Sequence, residues 1–426
     1  MRHFETTLEF SREMDKKDLL KSYKERFYME KGVIYMDGNS CGLCSIDAEV
    51  YVMKALKDWK KFGIDLWTHP EANYFLYQDK LAKLMAPLIN AKPEEVTICT
   101  NTTINIHKAL ATFYQPTPQR YKIIVDDLNF PTDKYAVDSF VKLKGLDPET
   151  AVKVVKSRDG KQIFEEDMIE AMTEDVALIL LPSVLYRSAY LTDMQKIADA
   201  ARERGIYVGF DLSHSIGSVP HDFESLNCDF AVWCNYKYVN GGPGAIAGLY
   251  INEKHFSKGP GLAGWQGNNK ATQFDLKQSF EPAEYAGGWQ TGTQPILSMA
   301  PIEGSLRMFQ EAGIHNIREK SLKLTAYMMY LIDEKLKKFG FSYGNPAEDQ
   351  RRGGHVALEH EEAIRINKAM KDRKIIPDFR YPNIIRLAPV AFYVSFEDVY
   401  RMVEIIEDIM ETKAYEDYDG SRGTVA

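Results

Sequence analysis

Ile206-Tyr-Val-Gly-Phe-Asp211-Leu-Ser-His214 is the stretch on which the fold reading turns. A mainly apolar run makes a short buried strand, and the aspartate directly after it puts a carboxylate at the carboxyl edge of a sheet, where α/β proteins hold their ligands. Further along, Asp229-Phe-Ala-Val-Trp-Cys234 is a second apolar run, and Lys237 ends it within Asn235-Tyr236-Lys237-Tyr238, before the glycine-rich Asn240-Gly-Gly-Pro-Gly-Ala245. A carboxylate at one strand end can pair with a pyridinium nitrogen, and a lysine at the next can bond a cofactor aldehyde. With His214 and Tyr236 beside them, the two read as the floor of a pyridoxal-phosphate (PLP) site. Taken singly, Asp211 has a plainer account as a helix cap or turn residue, and Lys237 as a surface lysine at a strand end.

Outward from this pair, short apolar runs alternate with helical periodicity. Strands are expected at 96–99, 122–125, 152–155, 177–181, 206–210, 230–234 and 246–251, after helices at 46–61 and 76–88. Repeated βα units of this kind imply an α/β fold with a mainly parallel sheet sandwiched by helices. After Thr293-Gln-Pro295 the pattern changes to long helices at 296–312 and 317–338. A smaller α+β region follows, with a helix at 363–372, a strand at 384–387 and a helix at 396–410. The expected division is an arm over 1–45 that contributes to the site, a large cofactor-binding domain over 46–314 and a small C-terminal domain over 315–426. The acidic tail after Thr412 is expected to fray.

Composition bounds the partners. The 426 residues are 45% hydrophobic and carry a net charge of −8, enough for a large core and with no basic cluster to track phosphates. Neither nucleic acid nor a membrane is therefore expected as partner, and a small polar substrate is. No apolar run is long enough to span a bilayer, and Met1-Arg-His-Phe-Glu-Thr6 lacks a signal-peptide pattern, so a cytoplasmic location is expected. Five cysteines suggest free thiols, and Cys41-Gly-Leu-Cys44 lacks the second pair a zinc site needs, so no metal is assigned.

Other stretches suit the same cofactor. Thr100-Asn-Thr-Thr103 follows a strand and opens a helix, which brings hydroxyls and free backbone N–H groups to one spot, as a phosphate requires; an ordinary helix cap would look the same. Phe130, in Phe130-Pro-Thr-Asp133, could stack on a pyridine face or belong to the core. Trp265 sits between glycines in Gly264-Trp-Gln-Gly267, where its indole N–H needs a phosphate or substrate oxygen as partner. Arg386, on the apolar strand Asn383-Ile-Ile-Arg-Leu-Ala-Pro389, needs a counter-charge, either a substrate carboxylate or an internal salt bridge.

Together these motifs closely resemble kynureninase, a fold-type-I PLP family of the class V aminotransferase superfamily. The resemblance runs from Tyr35-Met-Asp-Gly-Asn-Ser-Cys-Gly42, through Asn105-Ile-His107, Asn129-Phe-Pro-Thr-Asp133, Gly209-Phe-Asp-Leu-Ser-His214, Tyr236-Lys-Tyr-Val-Asn-Gly-Gly-Pro-Gly244 and Gly292-Thr-Gln-Pro-Ile-Leu297, to Arg386–Tyr400. It implies hydrolytic β,γ C–C cleavage of L-kynurenine or 3-hydroxykynurenine to anthranilate or 3-hydroxyanthranilate and L-alanine, a step of tryptophan catabolism, by a homodimer with its site at the subunit interface. It further implies that Lys237 bonds the cofactor aldehyde and acts as base, that Asp211 keeps the ring nitrogen protonated, and that Tyr236 is the acid. Thr102, Thr103, Phe130, Pro131, Thr132, Asp133, Ser183, His214, Trp265 and Thr293 would contact the cofactor, and Arg386, Asn39, Ser40 and Trp67 the substrate.

The chain also departs from that pattern. Trp265 is followed by Gln266-Gly-Asn268-Asn269 where the family usually has Phe-Gly-His, and Leu181-Pro-Ser-Val-Leu185 lacks the polar residues members commonly show. Amides favour polar substituents over an aryl face, so the alternative is a class V PLP lyase or aminotransferase acting on a different, more polar amino acid.

Overall fold

The strand carrying Asp211 lies at the centre of the molecule. The computed structural model describes residues 3–421. After a two-residue strand in the arm, β1 (Ile34–Tyr35), the main sheet is built from β2 (Val96–Ile98), β3 (Lys122–Asp126), β4 (Val152–Val155), β5 (Val176–Pro182), β6 (Tyr207–Asp211), β7 (Phe230–Trp233) and β8 (Gly248–Ile251). Their spatial order is β2-β8-β7-β6-β5-β3-β4. Pairing is parallel from β7 through β6, β5 and β3 to β4, and β8 alone runs counter to its neighbours.

Every residue of β5 is buried, because a parallel sheet is covered on both faces and its strands need no polar side. Successive side chains go to opposite layers. Ile179, Leu181, Phe210 and Trp233 join one hydrophobic cluster, and Leu178, Leu180, Phe230 and Val232 the other. The strand limits read from the sequence hold to within two residues.

Helix Ile46–Phe62 starts where Ser45 Oγ accepts the Ala48 N–H at 3.0 Å and stops at Gly63, whose φ is +52°. It packs against helix Ile296–Ala312 at Gly304, where an added Cβ would lie 2.3 Å from the Asp47 carbonyl oxygen. That helix ends at Gly313 (φ +76°), and the next begins at Ile314, earlier than the expected 317, losing α geometry after Leu331 in a π turn over Ile332–Leu336.

The C-terminal part adds β9 (Ser342–Tyr343), β10 (Val356–Glu359), β11 (Ile375–Ile376), β12 (Asp378–Arg380) and β13 (Ile384–Leu387). An antiparallel sheet forms in the order β12-β13-β10-β9, while β11 pairs in parallel with β1 and so ties the arm to this end of the chain. Helix Phe396–Glu411 opens on a reciprocal cap between Ser395 and Asp398. The tail corrects an expectation: Tyr418 Oη donates to Asp372 at 2.7 Å and Lys368 pairs with Asp419, so the chain stays docked to Ser421. The rest of that tail, 422–426, lies outside the described residues.

Candidate active site

A cavity of about 440 Å³ opens where β5 ends in Pro182, β6 ends in Asp211 and the turn after β7 carries Lys237. The sheet puts these three groups together because parallel neighbours end at the same edge. Lys237 does not end its strand as read from the sequence. β7 stops at Trp233, and Asn235 shapes the turn that follows, its side chain donating to the Ile246 carbonyl at 2.7 Å and its own carbonyl accepting from Gly241 N–H at 2.7 Å. The arm closes over this turn: Gly42 N–H donates to the Tyr236 carbonyl at 2.7 Å, and a Cβ on Gly42 would fall 2.5 Å from the Lys237 carbonyl oxygen.

Lys237 Nζ lies 2.8 Å from His214 Nε2. Burial, then the charges of Lys237 and Arg386, hold the His214 imidazole far below its ordinary pKa, so the ring is neutral. A neutral ring that accepts on Nε2 carries its proton on Nδ1, and Nδ1 is buried without a partner. Asp211 is buried, with Oδ1 accepting from Ser213 N–H at 2.7 Å; burial raises its pKa, and Ser213 and Lys237 oppose the rise. Asp133 is pushed well up by burial and then by Asp211, although Asn129 Nδ2 donates to it at 2.8 Å. Tyr236 is held protonated, first by Cys234 beside it and then by burial.

At the opposite end two helix N-termini converge. Helix Thr102–Phe113 is capped by Asn101, and helix Pro131–Leu143 begins at the proline expected of a first turn. Thr103 and Thr132 hydroxyls join them at 2.7 Å, and both residues, with Thr102, line the cavity. Phe130 is 42% exposed at the cavity wall, with its ring edge-on to Tyr186 at 5.5 Å, which settles it as a wall residue and not core.

Arg386 also lines the cavity, together with Asn39 and Ser40. Its counter-charge is internal: Asp378 Oδ2 accepts from its Nε and ion-pairs with its Nη2. Nη2 also donates to Ser40 Oγ at 2.9 Å and Nη1 to the Tyr186 carbonyl at 3.0 Å.

Six residues from the sequence reading do not join the cavity wall in this chain. Ser183 is fully buried and spends its hydroxyl on the Asp211 carbonyl (3.0 Å) and on Ser215 Oγ (2.7 Å), so it positions the strand end and does not face a ligand. Trp265 is 42% exposed and packs edge-on against Phe274, Thr293 is exposed ahead of helix Ile296–Ala312, and Trp67 ends a 3-10 turn. Pro131 and Asp133 stand behind the wall rather than on it. Unread in the sequence were Asn101, Asn129, Tyr186, Ser213 and Arg380, all of which line the cavity. Asn101 was visible as the cap of Thr100-Asn-Thr-Thr103; the others depend on tertiary neighbours. His107 packs near Phe140 and is no part of the wall.

The cavity wall leaves polar atoms that a ligand must satisfy: both amide atoms of Asn39, Thr102 Oγ1 and His214 Nδ1 are buried with no partner within the chain. PLP fits this set. Thr102, Thr103 and Thr132 at two helix N-termini could hold its phosphate, Phe130 its ring face, Asp211 its ring nitrogen and Lys237 its aldehyde carbon.

Comparison with known proteins agrees. Residues 317–406 match the family model described as the kynureninase C-terminal domain. The chain is 52% identical to the kynureninase of Geobacillus thermodenitrificans over 422 residues, covering 99% of each chain. It is 48% identical to that of Shouchella clausii over 420 residues, covering 99% of this chain and 98% of the other. The chain belongs to the kynureninase family. It is therefore an enzyme, and its cofactor is PLP.

Solved structures show the same fold at low identity. An apo cysteine desulfurase from Thermococcus onnurineus superposes with a TM-score of 0.77 at 17% identity, over 92% of this chain and 98% of the other. A mutant of the cystine C–S lyase C-DES with glycine covalently linked to its PLP cofactor superposes with a TM-score of 0.77 at 16% identity, over 90% and 99%. Within a kynureninase frame, the amides after Trp265 have local work. Asn268 Oδ1 accepts from Glu281 N–H at 3.1 Å and Asn269 Oδ1 from Ala271 N–H at 3.1 Å, while Gln266 is buried. They build their own loop, which removes the reason for expecting a more polar substrate.

Proposed function

We propose that the chain cleaves L-kynurenine, or its 3-hydroxy form, between the β and γ carbons by hydrolysis, releasing anthranilate or 3-hydroxyanthranilate and L-alanine. The observation that carries this reading is one cavity in which Asp211, Tyr236, the Lys237–His214 pair and Arg386 all meet. Bound PLP supplies an electron sink for the charge left when Cα loses its proton. Arg386 takes the α-carboxylate, with Ser40 and Asn39 fixing the amino acid's orientation. Lys237 Nζ removes the Cα proton, and His214, held neutral, keeps the amine aimed without competing for charge. Asp211 keeps a proton on the ring nitrogen, because an ion pair favours the charged partner. Water adds to the γ-carbonyl, the aryl acid leaves, and the protonated Tyr236 gives its proton to Cβ. The test is to follow anthranilate fluorescence and alanine release from PLP-loaded protein; a loaded enzyme that yields neither product from either kynurenine overturns the reading.

The working unit we infer is a homodimer with its site at the interface. Ile46, Val50 and Met53 are exposed along one helix, and Trp265, Phe274 and Leu276 on the loops after β8, an apolar surface that a second copy would cover. Trp265 and Thr293, which do not reach their own cavity, would serve the partner's, and Trp67 would lie at the substrate side. Full activity from a species that sediments as a monomer would exclude this. The arm over 1–45, large domain over 46–314 and small domain over 315–426 are supported by the break at Gly313 and by the β1–β11 pairing. A cytoplasmic location is supported by the five free cysteines; among the described residues, no helix is long and apolar enough to cross a membrane.

A further inference from the structure

One carboxylate in the cavity wall holds two guanidiniums. In the β12–β13 pair Asp378 stands opposite Arg386, and Arg380, two residues along β12, falls on the same face. Asp378 is fully buried; its Oδ2 accepts from Arg386 Nε and from Arg380 Nε, the latter at 2.9 Å, and ion-pairs with Arg386 Nη2. Two guanidiniums share this one buried anion, with the Asp37 carboxyl, its pKa raised by burial, beside them, so their charge is only partly answered until a further anion joins.

Arg386 has little left to offer that anion. A guanidinium has five N–H donors. Nε donates to Asp378, one Nη2 proton to Ser40 and one Nη1 proton to the Tyr186 carbonyl, while Nη2 also ion-pairs with Asp378, so the second Nη1 proton is the one left facing no partner. Arg380 is placed differently. Among the described residues its only side-chain hydrogen bond is from Nε, its side chain is 27% exposed, and it lines the same cavity. A carboxylate has two oxygens and favours a planar fork of donors on each.

We propose that Arg380 is a second binding residue for the substrate carboxylate, its terminal N–H groups taking one oxygen while Arg386 takes the other and Asp378 holds both guanidiniums in register. This rests on the reading that the substrate carboxylate binds at Arg386. It makes the small domain's sheet a two-arginine clamp for an amino acid with a free carboxylate, and it gives Asp378 a positioning role through both arginines.

The test uses PLP-loaded protein and two probes, L-alanine and L-alaninamide, which share the amine and differ in the carboxylate. Binding of each is followed by the absorbance of the bound cofactor. Arg380→Gln is expected to weaken L-alanine by about tenfold, the worth of a charge-assisted hydrogen bond, and to leave L-alaninamide unchanged. Arg380→Lys keeps the charge without the fork and is expected to fall between. If Arg380→Gln weakens both probes equally, or neither, while Arg386→Gln still abolishes the preference for L-alanine, the Arg380 proposal is overturned and the Arg386 reading stands. If Arg386→Gln leaves the preference intact, the underlying reading fails as well. Thermal midpoints of the three variants identify any loss that comes from unfolding, and a Gln variant that melts early leaves Arg380→Lys to decide between the outcomes.

Discussion

The floor of the cavity and the loops beyond β8 are built by different means. The floor comes from consecutive βα units: Asp211 ends β6, Lys237 follows β7, and the Thr102 helix starts just after β2. Its groups answer one another within one chain, as the 2.8 Å Lys237–His214 contact does. The loop segment is a series of 3-10 turns, Trp265–Gly267, Gln273–Asp275 and Ala286–Trp289, and it leaves Trp265, Phe274 and Leu276 in solvent. Regular elements can place chemistry by themselves because the sheet fixes their ends. The irregular segment, by contrast, leaves apolar and aromatic side chains exposed.

The largest effect should fall on the floor. Lys237→Ala removes the proposed base and is expected to lower kcat by about 10²–10⁴-fold, with His214 losing its partner at Nε2. Rapid-quench measurement of product formation checks this, and a loss below tenfold would mean the floor is not where the chemistry lies. The residues just behind the floor should also be acid-sensitive, His221 through its contact with Ser215 and His355 through its contact with His214. His355 is buried and His221 half-buried, and desolvation lowers their pKa to about 3 and about 4. Since these folded values lie below the ordinary unfolded value, the stability they represent is fully present above about pH 6.5 and is lost as pH falls toward the folded values. His221→Gln should therefore flatten the fall in urea midpoint between about pH 6.5 and 4.5, and an unchanged slope would remove His221 from the account.

A subunit-mixing experiment addresses the loops. If Trp265 and Thr293 serve the partner's cavity, a Lys237→Ala chain and a Trp265→Ala, Thr293→Ala chain are each impaired alone. Refolded together in equal amounts, they form hybrids with one intact site, and about a quarter of the wild-type activity should return by random pairing. Mixtures no more active than their parents would mean that each chain's loops complete its own site.

How much could be read in advance follows the same division. Asp211 was legible because an apolar run ending in a charged residue is a local signal, whereas Lys237 was read onto a strand end and lies on the turn four residues beyond it. Ser183 was misread because its carbonyl and hydroxyl partners, Asp211 and Ser215, come together only when β5 and β6 pair. Arg386 left two possibilities open in the sequence, a substrate carboxylate or an internal acid. Asp378 supplies the acid from a three-residue strand, Asp378-Phe-Arg380, too short and too charged to announce itself. The β1–β11 pairing joins residues far apart in the chain through two-residue strands that no periodicity could reveal.

The arm carries the smallest and most specific consequence. Asp37 sits beside the Asp378–Arg380–Arg386 cluster, where burial and then Asp378 raise its pKa to about 6 against the pull of Ser40, Arg386 and Arg380. Above that pH its ionised carboxylate competes with the substrate for the two guanidiniums; below it the carboxyl is neutral and the competition ends. Substrate affinity should therefore strengthen by a few-fold as pH falls from about 7 to 5.5, a partly screened charge effect. The ratio of wild-type to Asp37→Asn KM at each pH isolates this from every other titration, because the variant shares all groups but one. A ratio that changes across pH 6 makes the arm part of the carboxylate site, so the β1–β11 pairing that anchors it would act on substrate binding as well as on the fold. A constant ratio would confine the clamp to the small domain's own sheet.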